Sequence, residues 1–191
     1  MKKVLVINGN PKPNSLCKSL ADQYTSVANN KHKVQQVNIG DLNFRISLDQ
    51  GYDRVAVLEP DLVDFQNKIQ WAEHIVIVSP VWWGTIPAKF KGVIDRAFLP
   101  GFAFKYVDGK TIPDKLLKGR TSELIITLDS PPFWYKYIKG NAIYKQLNHS
   151  ILAFSGIKNI SSTYFGPVIN SDNNNIKAWL NKVAQLANIP K

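Results

Sequence analysis

One cysteine, Cys17, stands among 191 residues, which excludes an intramolecular disulfide and any metal site built from clustered thiolates. A single cysteine also fits a reducing compartment, so a cytoplasmic location is expected. The three histidines, His32, His74 and His149, lie too far apart to make a ligand motif. Neither Gly-x-Gly-x-x-Gly nor a Walker pattern occurs, which disfavours a dinucleotide-binding Rossmann turn and a P-loop. Gly-x-Ser-x-Gly is missing too, so there is no nucleophile elbow. The Met-Lys-Lys start runs into a short apolar stretch, Val4 to Ile7, too short for a signal peptide or a membrane span. An arginine-rich block is also lacking. Twenty-four basic against 14 acidic residues give +10, but the lysines are scattered singly, as on a solvated basic surface, and nucleic acid is not an expected partner. Polyanionic ligands would still be attracted. Without repeats, low-complexity segments or an interdomain linker, residues 1–191 read as one domain, large enough to bury about 70% of its unfolded surface.

What is present centres on Ile75-Val76-Ile77-Val78-Ser79-Pro80-Val81-Trp82-Trp83-Gly84-Thr85-Ile86-Pro87. Four β-branched residues in a row predict a strand buried on both faces, a parallel-sheet signal. Pro80 cannot donate to the ladder and ends it. Pro87 suits the first turn of a helix, on which Phe90, Val93, Ile94 and Ala97 share one face. Between strand and helix, where an open α/β sheet keeps its ligand crevice, stand two tryptophans, a glycine and a threonine. Left wet, each tryptophan would forfeit roughly 2–3 kcal/mol. Either a flat aromatic ligand or partner chain removes that penalty, or the two indoles simply cover the sheet edge.

In chain order, strands are predicted at Lys3 to Ile7, Lys33 to Val37, Ser122 to Leu128 and Lys158 to Tyr164, besides the central one. Helices are predicted at Ser15 to Val27, Asp61 to Trp71, Ala88 to Phe98, Ala142 to Phe154 and Asp172 to Ala187. Gly156 closes the fourth. Gly40 to Glu59 and Leu99 to Leu117 read as irregular excursions, and Ser130 to Gly140 as a proline- and aromatic-rich loop. Five strands alternating with helices imply a doubly wound parallel sheet with right-handed crossovers. In the order 2-1-3-4-5, the carboxyl ends of strands one and three flank the switch point. The loop Asn10 to Ser15 ends at a helix N-terminus there, where free N–H groups and the dipole favour an anion; plain capping by Asn14 or Ser15 accounts for the same residues. Paired with the tryptophan loop, it describes a phosphate pocket beside an aromatic slot, the shape of FMN. Cys17 lies in the first turn of that helix and is expected to pack rather than react.

These stretches carry a resemblance. Pro80 through Phe98, then Pro100-Gly101-Phe102-Ala103-Phe104-Lys105-Tyr106, then Leu116-Leu117-Lys118-Gly119-Arg120, resemble the flavodoxin-like NAD(P)H:quinone oxidoreductases, a family that includes DT-diaphorase, modulator of drug activity B and the ancillary reductases of potassium efflux systems. The resemblance covers nearly the whole chain. It implies that Asn10 and Ser15, Leu16 and Cys17 hold a flavin phosphate and ribityl end. Pro80, Val81, Trp82, Trp83 and Gly84 would run along one edge of the isoalloxazine, with Trp83 also facing substrate. Thr127, Leu128 and Asp129 would supply the opposite edge. Tyr135 would donate near the pyrimidine side and stabilise charge on the reduced ring. Phe104 and Tyr106 would close the pocket from the other subunit of a homodimer.

The chain departs from the family pattern at three places. Asn10 stands where relatives commonly have a histidine, and Asn141 where DT-diaphorase has one, which weakens any acid–base help from Asn141. Thr127-Leu128-Asp129-Ser130-Pro131-Pro132 replaces the common Thr-Thr-Gly-Gly, and prolines offer no N–H to a flavin. The resemblance implies FMN, with FAD as the alternative because composition does not distinguish them, and NAD(P)H as co-substrate. The expected reaction is ping-pong hydride transfer to a small-molecule acceptor, a quinone, azo or nitro compound. The competing reading is a flavin-containing ancillary subunit with little turnover, docked on a membrane transporter or other acidic partner, motivated by the +10 charge and Pro131-Pro132.

Overall fold

In a computed structural model, the chain is described except at residues 50, 52, 54–56 and 189–191. Part of the predicted Gly40 to Glu59 excursion, namely Gln50, Tyr52 and Arg54 to Ala56, lies outside the described residues. The elements run β1 (Lys3–Asn8), α1 (Leu16–Ala28), β2 (Lys33–Asn38), α2 (Pro60–Trp71), β3 (His74–Pro80), α3 (Ala88–Ala97), β4 (Phe104–Lys105), β5 (Asp114–Lys115) and β6 (Thr121–Thr127). A helical segment follows, α4 over residues 142–155, α-helical at its two ends and π-wound across Lys145–Leu152. β7 (Lys158–Phe165) and α5 (Asn173–Asn188) complete it.

The main sheet has the order β2-β1-β3-β6-β7 with every pairing parallel, which is the expected 2-1-3-4-5 flavodoxin-like arrangement. Its two faces are built from alternate residues of the same strands. Leu5, Ile7, Ile75, Ile77, Leu124 and Ile126 point to the layer of α2, α3 and α4. Val4, Val6, Val76, Val78 and Ile125 point to α1 and α5, against Leu20, Tyr24 and Val183. β3 is buried along its whole length because both layers cover it. At about 25 cal/mol per Å² of apolar surface removed from water, this double burial stabilises the fold.

Two stretches differ from the sequence expectation. The excursion after α3 contains a small antiparallel pair, β4 with β5. Two-residue strands lie below what periodicity can reveal. The supposed loop Ser130 to Gly140 is helical over residues 132–138, π-wound across Trp134–Ile138. Proline is at home in a first helical turn, where a missing N–H leaves nothing unsatisfied, so Pro131-Pro132 starts this turn rather than preventing it. The Tyr135 N–H donates to the Pro131 carbonyl at 3.1 Å.

His74 opens β3 fully buried, its Nδ1 2.8 Å from Thr121 Oγ1. Burial, with the nearby Lys2 charge, pulls its pKa down to about 4. The unfolded chain therefore takes up a proton near pH 6.5 that the folded chain refuses until about pH 4. Stability contributed by neutral His74 is complete above pH 6.5 and declines as pH falls toward 4. Denaturant unfolding of wild type and His74→Gln across that range should show the wild type losing more stability, by up to about 3 kcal/mol.

Candidate functional site

Two clefts that share Val81, Leu128 and Asp129 form one trough along the carboxyl ends of β1, β3 and β6. The narrower, about 290 Å³, is lined by Asn10, Lys12, Ser15, Leu16, Cys17, Pro80, Val81, Trp82, Thr127, Leu128, Asp129 and Val168. The wider, about 540 Å³, adds Gly84, Ser130, Tyr135, Lys139 and Ala142.

At the narrow end the loop from β1 to α1 is stiffened by successive Asx turns. The Asn10 N–H donates to Asn8 Oδ1 at 3.1 Å, and the Lys12 N–H to Asn10 Oδ1 at 3.0 Å. Ser15 caps α1 by accepting from the Lys18 N–H at 3.2 Å. The N–H groups of Leu16 and Cys17 belong to those a helix start leaves without an intrahelical acceptor. Lys12 adds a full positive charge on the same rim. Cys17 is buried with its Sγ 3.2 Å from Thr127 Oγ1. Burial pushes its thiol up to about 11 against the hydrogen bonds of Thr127 and Asn10. It stays protonated at neutral pH and is no nucleophile.

At the wide end the tryptophan loop is a two-residue reverse turn. Trp82 and Thr85 exchange both backbone hydrogen bonds, at 2.8 and 3.1 Å. Trp83 and Gly84 both take positive φ, 51° and 87°, the geometry of a type I′ turn. Glycine adopts it freely; a tryptophan there carries strain. The Trp83 side chain is 104% exposed, so packing does not compensate. Two outside contacts hold the turn. Tyr135 donates its hydroxyl proton to the Gly84 carbonyl at 2.7 Å while accepting from the Ile143 N–H at 2.9 Å. Thr85 Oγ1 donates to Gln146 Oε1. The opposite rim is braced by the segment after β7. The Val168 N–H donates to the Leu128 carbonyl, and the Ile169 N–H to Asp129 Oδ1, each at 3.0 Å.

The trough therefore brings together Asn10, Ser15, Leu16, Cys17, Pro80, Val81, Trp82, Gly84, Thr127, Leu128, Asp129 and Tyr135, with Trp83 projecting at its lip. Asn141, expected at the site, is elsewhere, and Phe104 and Tyr106, expected to serve a partner subunit's site, lie outside their own. Asn141 sits in a left-handed turn, φ 53°, with Oδ1 accepting from the Tyr164 hydroxyl at 2.9 Å, beside a separate polar pocket with Tyr144 and Ser162. Phe104 and Tyr106 line another groove with Phe98, Ile151 and Phe154 and do not reach their own chain's trough. The Tyr135 proton, expected on a ligand, is committed to Gly84. Conversely, Lys12, Lys139 and Val168 escaped the sequence reading. Lys12 was legible as a cation in a helix-start loop; Val168 arrives only through the pairing with Leu128.

The family model described as "Flavodoxin-like fold" matches residues 2–187. The chain belongs to that family. This flavodoxin-like protein is 27% identical over 175 residues to an uncharacterized NAD(P)H oxidoreductase of Haemophilus influenzae, covering 84% of each. It is 30% identical over 134 residues to the ribosyldihydronicotinamide dehydrogenase [quinone] of Pongo abelii, of which it spans 55%. Among solved structures, Smu.1420 from Streptococcus mutans shares the fold with a TM-score of 0.82 at 24% identity, covering 98% and 100% of the two chains. An FMN-dependent NADH-azoreductase of Bacillus anthracis, solved with FMN, gives 0.67 at 21% identity over 98% of each.

Replacing Tyr135 with Phe leaves the Gly84 carbonyl and the buried Ile143 N–H without their shared partner. Tyr135→Phe should lower unfolding stability by about 1–3 kcal/mol in thermal or denaturant melts.

Proposed function

We propose that the trough holds FMN and that the protein is an NAD(P)H-dependent oxidoreductase delivering two electrons to quinones or similar acceptors. One observation carries this reading. A continuous trough at the sheet's switch point has a cationic, N–H-rich end and an aromatic-lipped end, and its two parts fall within the size range of small-molecule sites. The residues fit the group. A phosphate dianion would meet the α1 N-terminus, Ser15 and Lys12, while a planar ring would lie between Pro80–Gly84 and Thr127–Asp129. The smaller flavin is favoured over FAD because a structural neighbour of the same fold, the Bacillus anthracis azoreductase, was solved with FMN, and mass spectrometry of the released cofactor separates the two.

Bound FMN would supply the capacity to take a hydride from NAD(P)H and return two electrons to an acceptor, in alternation at one face. The chain's residues supply the rest. Lys12 and the helix dipole neutralise the phosphate. Tyr135 and Gln146 pre-organise the tryptophan turn, so stacking needs no reordering on binding. Lys139 places a cation on the wall of the wide cleft, and the net charge of +10 draws in the phosphates of a nicotinamide nucleotide. Cys17, held protonated by burial, would border the cofactor on the cleft wall without competing for electrons.

Phe104 and Tyr106 cannot close their own trough. Phe104 is buried in its own core, which corrects its expected role, and Tyr106, 68% exposed on the rim of a groove of about 440 Å³, is left to reach a second copy in a homodimer where each chain's Tyr106 caps the other's site.

Protein supplied with FMN should oxidise NADH or NADPH when a soluble quinone is added. Colourless protein with no flavin uptake and no such turnover would refute the assignment. Trp83→Gly tests the lip. Because Trp83 is exposed and strained, the change should leave stability within about 1 kcal/mol of wild type, or raise it. Quinone turnover should fall by roughly tenfold or more. Equal loss of both would make Trp83 a packing residue.

A further inference from the structure

Between β7 and α4 lies a polar pocket that the trough does not use, about 360 Å³ and within the size range of small-molecule sites. Ser162 and Tyr164 stand in register with Leu124 and Ile126 of β6, on the sheet face that packs against α4. The apolar core would continue there, yet the lining is polar: Asn159, Ser162 and Tyr164 on β7, with Lys136, Asn141 and Tyr144 opposite. Among the described residues no carboxylate lines it. Glu123 is buried and takes the hydroxyls of Ser161 and Tyr24.

One wall separates this pocket from the wide cleft. Tyr135 and Ala142 line the cleft, and their chain neighbours Lys136 and Asn141 line the pocket. The Asn141 N–H donates to the Tyr135 carbonyl at 3.1 Å, and its Oδ1 accepts from Tyr164. Cations stand along that wall. Lys139 lines the cleft, and Lys136 lines the pocket with its ammonium 5.1 Å from the Tyr164 ring centre. The Lys145 ammonium is 3.8 Å from where a Cβ on Gly140 would stand. Asp129 also lines the cleft, its Oδ1 held by the Ile169 N–H.

We propose that this pocket holds the adenosine end of a nicotinamide dinucleotide whose reducing end lies in the wide cleft. This role rests on the reductase reading above and gives the enzyme a preference for dinucleotide donors. A molecule spanning both spaces crosses the wall beside Gly140, and its pyrophosphate is the part that the ammonium groups there would bind. The pocket's own groups fit a purine nucleoside. The Tyr144 and Tyr164 rings offer apolar faces to a flat base. The carboxamides of Asn141 and Asn159 both donate and accept, which matches the adjacent donor and acceptor on an adenine edge. The Ser162 hydroxyl suits a ribose. An apolar guest would leave these groups unpaired, at a cost. Anchoring the remote end also orients the nicotinamide in the cleft.

Calorimetric titration of the FMN-supplied full chain with ADP-ribose, which carries adenosine and pyrophosphate without the reactive ring, tests the pocket apart from turnover. ADP-ribose should bind at least about tenfold more tightly than inorganic pyrophosphate, and Lys136→Ala should weaken it by about tenfold. Ser162→Tyr, which fills the cavity, should abolish the binding. With a soluble quinone as acceptor, kcat/KM for NADH should exceed that for dihydronicotinamide riboside, which has no adenylate, by about tenfold or more. Each substitution should reduce that ratio. ADP-ribose bound no more tightly than pyrophosphate, binding indifferent to both substitutions, or a donor ratio near one would overturn the proposal. Should Ser162→Tyr fail to fold, Lys136→Ala and the pyrophosphate comparison still decide. Protein that binds ADP-ribose as expected and oxidises neither donor would refute the reductase reading while the adenosine site stands. Turnover with a donor ratio near one would do the reverse.

Discussion

The trough exists because the chain leaves β1 and β3 in opposite directions. From β1 it turns into α1 on one face of the sheet; from β3 it turns into α3 on the other. The loops diverge, and the carboxyl ends of two neighbouring strands are left with open space between them. That divergence is tolerable only because the strands below are locked together. The Gly9 N–H reaches the Val78 carbonyl at 2.7 Å, and a Cβ on Gly9 would stand 2.6 Å from the Phe90 ring. The space above the sheet depends on the lack of any below it.

Around that opening the structure invests in rigidity rather than polar chemistry. The Asx turns at Asn8 and Asn10, the cap at Ser15, the Tyr135 hydroxyl between Gly84 and Ile143, and the Ile169 N–H on Asp129 each hold a rim segment in place. The cysteine is held protonated by burial, and burial raises Tyr135 above its ordinary value too. A site built this way positions a reactive guest and leaves the reaction to it. The same economy explains why Asp129-Ser130-Pro131-Pro132 is compatible with the site. Where glycines would bring backbone N–H groups to a ligand, this chain uses two prolines to start a helical turn whose one inward residue, Tyr135, braces the opposite lip.

Much of this was legible in the residues. β-branched runs in β1, β3 and β6 announced a sheet covered on both sides, and the alternation of Leu5 and Ile7 with Val4 and Val6 became the two layers. Pro80 and Pro87 bounded the tryptophan loop correctly. Less legible were features whose partners lie far along the chain. Ser130 to Gly140 looked like a loop because proline and aromatics argue against a helix interior, yet Ile143 and Gly84 supply the contacts that hold it wound. Asn141 and Tyr135 are six residues apart in sequence but face different pockets, because a left-handed turn at Asn141 separates them.

The sequence by itself determined the alternation of strands and helices and the two-faced burial of the central strand, which follow from periodicity and are local; the strand order, and with it the position of the crevice, rested on the family resemblance and is seen in the sheet. The tertiary structure alone decided which side chains line the crevice and which way the hydroxyl of Tyr135 and the rings of Phe104 and Tyr106 point. Those depend on hydrogen bonds and packing between segments dozens of residues apart, and no local pattern encodes such a partner.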